Sequence, residues 1–142
     1  MPSQGMTSIR TESAKLNISK GGSTAIYVDQ SNAKASDSRD GYDWDRPKKT
    51  IQGAIDVLEP WTEIYVRSGV YQENIEIDCE NVTVHGLVQA GSDRVEISPV
   101  SGVPLKLSAG YSNIRGISVV SSDANAIELT GPGHKLHDCY IE

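Results

Sequence analysis

The polar segment 37–45, DSRDGYDWD, concentrates the side chains best suited to metal chemistry in this sequence. Four carboxylates at close spacing supply the hard oxygen ligands that calcium prefers. Their order does not match an EF-hand loop, which is the specific form of that signal. The alternative is a solvated turn at Asp-Gly 40–41, with the tryptophan at position 44 packed against a nearby helix. The sequence therefore predicts no metal site, and the weak candidate ligands are Asp37, Asp40, Asp43 and Asp45.

Histidines and thiols are scattered along the chain. Only His134 and His137 lie near each other, and no third ligand follows them, so turn or surface roles are favoured over metal binding. His85 stands apart. Cys79 and Cys139 define no disulfide framework and have no neighbouring histidine, which favours inert thiols over nucleophiles. We predict no catalytic residue and no cofactor within these residues.

Four aromatic residues near turns offer a different kind of site, because such rings can stack on sugars. They are Trp61, Tyr65, Tyr71 and Tyr111. Single aromatic residues beside turns more often serve packing. Sugar stacking is therefore the less favoured interpretation.

One helical pattern precedes a long series of strand patterns. Ile51, Ala54, Ile55 and Leu58 fall at i, i+3, i+4 and i+7, and form one apolar stripe. Thr50 suits the N-cap, and a proline at position 60 ends the pattern. We predict a short helix over about 50–58 that covers an apolar end of the strand region.

The strand region repeats itself. LKLSAGYSNIRGISV at 105–119 aligns without gaps over IELTGPGHKLHDCYI at 127–141, an offset of 22 residues. A fixed period in this range with several alternating strands per repeat and no helix is typical of a β-helix. We predict an all-β, right-handed parallel β-helix with coils of about 22 residues. Its stacked core would comprise Val95, Ile97, Leu105, Leu107, Ile114, Ile117, Val119, Ile127, Leu129, Leu136, Cys139 and Ile141.

The same 22-residue register predicts which outward side chains are neighbours. Lys106 would lie beside Glu128, and Arg115 beside His137. None of the columns predicted in this way holds the paired carboxylates that glycoside hydrolysis requires.

Composition excludes several classes of protein. The chain has 142 residues and a formal net charge of −6, which argues against binding to nucleic acid or to an anionic membrane. No apolar run is long enough to cross a bilayer, and residues 1–20 lack the apolar core of a signal peptide. Residues 1–24 are predicted to be an extended arm that orders on a partner, and residues 25–142 to be the β-helix domain.

The opening of the strand region resembles a known group of proteins. Ile26-Tyr27-Val28-Asp29, Asp40-Gly41, Trp44 and Thr50-Ile51-Gln52, followed by EIYVRSGVYQENIEI and NVTVHG, resemble the start of right-handed β-helix proteins of the pectin-lyase-like superfamily. These include pectin methylesterases, polysaccharide lyases and hydrolases, and bacteriophage tailspikes. The resemblance implies the fold, whereas no catalytic residue of the family can be placed on this chain.

The resemblance and the architecture together lead to a functional expectation. We expect a non-catalytic structural protein of a tailed bacteriophage virion, similar to the attachment part of a tailspike or tail fibre. It would assemble in the host cytoplasm as a trimer and contact other virion proteins through residues 1–24. A host surface polysaccharide would be a further partner. The alternatives are a fragment of a carbohydrate-active β-helix enzyme, such as an esterase, lyase or hydrolase, and a carbohydrate-binding module.

Overall fold

The computed structural model describes residues 24–87, 94–122 and 125–142. This part of the chain is mostly β-strand, arranged in parallel sheets, with little helix. The predicted arm, residues 1–24, lies outside the described residues except for Thr24. The helix α1 spans Ile51–Ile55. The strands are β1 Thr24–Val28, β2 Thr62–Val66, β3 Gly69–Tyr71, β4 Ile75–Ile77, β5 Thr83–Gly86, β6 Val95–Ile97, β7 Leu105–Leu107, β8 Asn113–Arg115, β9 Ile117–Val119, β10 Ile127–Leu129, β11 Lys135–His137 and β12 Tyr140–Ile141.

The strands form three parallel sheets that the chain visits in a fixed rotation. The first sheet has the order β1-β2-β5-β8-β11, the second β3-β6-β9-β12, and the third β4-β7-β10. After β1 and α1, the chain passes through the first, second and third sheets in β2, β3 and β4. It repeats that passage in β5 to β7 and in β8 to β10, and begins it again in β11 and β12. We call each passage a circuit.

The register matches the 22-residue repeat in the later circuits. Leu105 lies opposite Ile127, and Val95 lies opposite Ile117. The earlier circuits differ in length, because Glu63 lies opposite Thr83 and Thr83 lies opposite Asn113, which are 20 and 30 residues apart. The single period therefore describes only part of the strand region.

The inward side chains of all three sheets join one buried cluster. Alternation places every second residue of a strand inward, so Ile64 and Val66 are fully buried while Tyr65 between them is only partly buried. Complete burial of an aliphatic side chain of this size stabilises the fold by about 1.5–3 kcal/mol.

Three residues predicted in the core stack are exposed. Leu129, Leu136 and Ile141 are 52%, 37% and 54% exposed, and Ile127 and Cys139 are partly buried. Each lies on or beside the last strand of its sheet among the described residues, so a neighbouring strand packs on one side only.

The helix is shorter than predicted. After Ile55 the backbone N–H groups of Val57 and Leu58 bond to carbonyls three residues back, which tightens the chain into a turn. Ile51, Ala54 and Ile55 are buried, and the helix packs against β1 and β4, the first strands of the first and third sheets. Leu58 lies beyond the helix and is partly buried against the core.

Candidate functional site

Asp37, Asp40 and Asp43 of segment 37–45 organise turns and the start of α1. Asp40 accepts a hydrogen bond from the Tyr42 backbone N–H, and Asp43 accepts from those of Asp45 and Arg46. Within the ranges that the structure describes, no group of three histidine, cysteine, aspartate or glutamate residues is arranged to hold a metal ion.

Asp37 clamps the start of the helix. Its carboxylate accepts from the backbone N–H groups of Lys49 and Thr50, both at 2.9 Å, and from Thr50 Oγ1 at 2.7 Å. Thr50 in turn caps the helix by accepting from the Gly53 N–H. Burial opposes ionisation of Asp37, but the hydrogen bonds from Thr50 and Lys49 and the charge of Lys48 outweigh it, so its pKa is lowered.

Glu73 completes the same helix start from a distant strand connection. Its carboxylate accepts from the Ile51 and Gln52 N–H groups at 3.0 and 2.9 Å, so the first backbone donors of the helix are satisfied. Burial raises the pKa of Glu73, partly offset by these bonds. Glu73 was not singled out from the sequence, because it lies 22 and 21 residues from its partners.

We expect Asp37→Asn to lower the free energy of unfolding by about 1 kcal/mol at pH 7, because the capping carboxylate loses its charge and an acceptor oxygen. The pKa of Asp37 is lowered in the folded state. Its contribution is therefore present above the unfolded value of 3.8 and disappears as pH falls through the folded value. Urea unfolding of both proteins between pH 2 and 7 measures this. Asp40→Asn, which affects one hydrogen bond to the backbone, is the control. An equal loss of unfolding free energy in the two variants would contradict the role of Asp37 at the helix start.

The aromatic residues divide into packed and exposed groups. Tyr65 stacks between Tyr27 and His85, with ring centroids 5.6 and 4.6 Å away, so both of its faces are occupied. Tyr71 is buried and its hydroxyl donates to the Arg67 carbonyl, and burial raises its pKa to about 12. Neither ring is available to a sugar.

Tyr27 and Trp44 extend this stack on the side of Tyr65 that is opposite His85. Their ring centroids are 4.6 Å apart, and the Arg67 guanidinium lies 4.3 Å from the Trp44 centroid. Trp44 therefore packs on Tyr27 and Arg67, where the sequence suggested packing against the helix.

Trp61 and Tyr111 are the exposed members, at 65% and 53%. They occupy equivalent turn positions just before β2 and β8, with left-handed φ values of 71° and 62°. A bulky residue in this conformation costs about 1–2 kcal/mol. The strain and exposure make Trp61 a candidate contact for a ligand.

An outward-facing polar cluster lies beside this turn on the first sheet. Glu63 Oε1 lies 2.8 Å from His85 Nε2 and accepts from the Tyr65 hydroxyl at 3.2 Å. Burial raises the pKa of Tyr65, and the neighbouring Glu63 carboxylate adds to the increase. A carboxylate and an imidazole at this distance can hold and exchange a proton.

Two open clefts meet at this cluster. The larger, of about 710 Å³, runs from His85 and Arg115 to Arg94 and Tyr140. The smaller, of about 360 Å³, runs from the same His85 and Arg115 to Trp61. Both clefts have mixed polar and apolar linings, and they share the side chains at their junction. This pair of clefts is the candidate functional site.

The remaining histidines are hydrogen-bonded in turns or exposed. His134 Nδ1 accepts from the Ser112 N–H at 3.3 Å, and its Nε2 lies 2.8 Å from the Thr130 carbonyl oxygen. His137 is exposed on β11 and lies opposite Arg115.

Both cysteines are free thiols. Burial raises the pKa of Cys79, and the nearby carboxylates of Asp78, Glu80 and Glu59 add to the increase. A raised pKa reduces the thiolate fraction, which disfavours a nucleophilic role.

One column of outward side chains holds two carboxylates, whereas the sequence analysis predicted none. Glu76, Lys106 and Glu128 lie in register on β4, β7 and β10. Lys106 separates the two carboxylates by two strand spacings, or about 9.6 Å. The prediction missed Glu76 because the first two members of the column are 30 residues apart rather than 22.

No protein-family model, curated protein or solved structure matches this chain. Over the ranges 24–87, 94–122 and 125–142, no helix has the length and apolar character needed to cross a membrane.

Proposed function

We propose that the chain winds as a right-handed parallel β-helix and serves as a structural component of a tailed bacteriophage virion, similar to the attachment part of a tailspike or tail fibre. The observation that supports the winding is the fixed rotation of successive strands through three parallel sheets. A right-handed connection is the normal one between parallel strands.

The two ends of the strand stack support a rod-like role. The helix lies against the first strands of the first and third sheets. At the opposite end, β10, β11 and β12 each have a strand neighbour on one side only among the described residues, and they carry the exposed Leu129, Leu136 and Ile141. An open parallel edge with apolar side chains can accept further strands in register.

The virion assignment is tested by locating the protein. Phage particles would be purified by density gradient from the cells that carry the gene, and tryptic peptides of this chain would be sought by mass spectrometry. The proposal predicts peptides that co-purify with particles at a constant ratio to the tail proteins. Peptides confined to the soluble or secreted fraction would contradict it.

A carbohydrate-binding module is the second candidate, and the exposure of Trp61 beside the smaller cleft favours it. The cleft is lined by amide, hydroxyl and carboxylate groups next to an exposed indole, a combination that suits a sugar ring. Titration of tryptophan fluorescence with neutral and acidic oligosaccharides tests this role. A saturable change that Trp61→Ala abolishes would support the module, and an unchanged signal in wild type would exclude it.

A further inference from the structure

We propose that the larger cleft binds an oxyanion, namely the carboxylate, sulfate or phosphate group of a small ligand, between Arg94 and Arg115. This inference does not depend on the virion assignment. The first observation is the local charge. The chain carries a formal net charge of −6, yet among the described residues this cleft is lined by two guanidinium groups, the His85 imidazole and one carboxylate, that of Asp138.

Both guanidinium groups are available to a ligand. Arg94 and Arg115 are exposed, and neither lies within 4.0 Å of a carboxylate oxygen in the part of the chain that the structure describes. Acidic side chains outnumber basic ones in this chain, yet neither arginine forms an ion pair among the described residues. The planar guanidinium presents paired N–H donors that match the two oxygens of a carboxylate, sulfate or phosphate.

A neighbouring aromatic ring holds one of these donors in place. The Arg94 guanidinium lies 4.2 Å from the centroid of the Tyr140 ring. Arg115 lies in register between His85 and His137 on the first sheet. His85 is itself held by Glu63 at 2.8 Å. Donors that are already positioned lose less conformational entropy when they bind a ligand.

Part of the cleft lining is backbone without a side chain. Gly86 and Gly116 line it, and they lie next to each other on successive circuits. Gly116 has a φ of +69°, and a Cβ added there would lie 2.6 Å from the Gly86 carbonyl oxygen. Glycine at both positions lets the two backbone segments approach each other closely, and neither position adds a side chain to the cleft lining.

Binding is tested by calorimetric titration of the full chain with sodium phosphate, sodium sulfate and sodium glucuronate at matched ionic strength, with glucose as the neutral control. The proposal predicts saturable binding of at least one oxyanion and none of glucose. Arg94→Gln and Arg115→Gln should each weaken that binding on the order of tenfold, because each removes a charged bidentate donor. Arg39→Gln, which changes an exposed arginine in another cleft, should leave it unchanged.

The outcomes separate the possible ligands. Preference for glucuronate would identify an acidic sugar, and preference for phosphate or sulfate would identify an esterified ligand; either supports the site. Far-UV circular dichroism and thermal unfolding establish that each variant is folded. Absence of binding for all three oxyanions, or binding that Arg94→Gln and Arg115→Gln leave intact, would overturn the proposal.

Discussion

Replacing Leu107 with alanine should lower the free energy of unfolding by about 2–5 kcal/mol. Leu107 is fully buried on β7, and it lies in register between Ile77 on β4 and Leu129 on β10. Truncation removes buried methyl groups and leaves a cavity that two flanking strands keep from collapsing. Because small domains are stable by only about 5–15 kcal/mol, this loss is large enough to measure by urea unfolding.

The matched control is Leu129→Ala in the same column. Leu129 is 52% exposed, so its truncation should cost about 0.5 kcal/mol or less. The comparison keeps the residue type and the sheet constant and changes only the burial. Equal losses in the two variants, with equal m-values, would contradict the stacked core.

Replacing Gly116 with alanine should leave little or no folded protein. A left-handed backbone costs a residue with a Cβ about 1–2 kcal/mol, and the new Cβ would lie 2.6 Å from a backbone oxygen of Gly86. Since that oxygen belongs to the neighbouring strand rather than to a flexible side chain, relief requires the first sheet to separate locally. We expect a loss of several kcal/mol, seen as a low unfolding midpoint or as insoluble protein.

Gly131→Ala separates strain from contact. Gly131 has a φ of +90°, but a Cβ there would meet no heavy atom nearer than 3.5 Å. This variant should therefore show only the backbone cost of about 1–2 kcal/mol. If thermal unfolding gave the same midpoint for both variants, the close approach of Gly86 and Gly116 would be wrong.

The sequence predicted the strand content well because alternation is a local property. In the later circuits the connecting turns have equal lengths, so self-alignment also gave the register of Leu105 with Ile127. The earlier register was missed because turns of different length intervene between Thr83 and Asn113. Such turns change the spacing without altering the strand pattern.

The candidate site was harder to predict because its members come from different circuits. Glu63 and His85 are 22 residues apart, and nothing local links them. The sequence analysis favoured a solvated turn over a metal site for the acidic segment, but it did not predict that Asp37 serves the helix start that Glu73 also stabilises. The Glu63–His85 pair and the role of Asp37 both depend on long-range contacts that composition and spacing do not reveal.

The central claim is that successive circuits place β10 directly beside β7, with β4 on the far side of β7. It is tested most directly by disulfide formation on the outward face of the third sheet, in a background with Cys79→Ser and Cys139→Ser. Lys106 and Glu128 are register partners, about 4.8 Å apart, which is within disulfide range. The pair Glu76 and Glu128 lies in the same column but two strands apart, at about 9.6 Å, which is too far to bridge.

Mild oxidation of dilute protein, followed by peptide mapping, should show an intramolecular disulfide in Lys106→Cys/Glu128→Cys and none in Glu76→Cys/Glu128→Cys. Cross-linking of the second pair but not the first would contradict the winding.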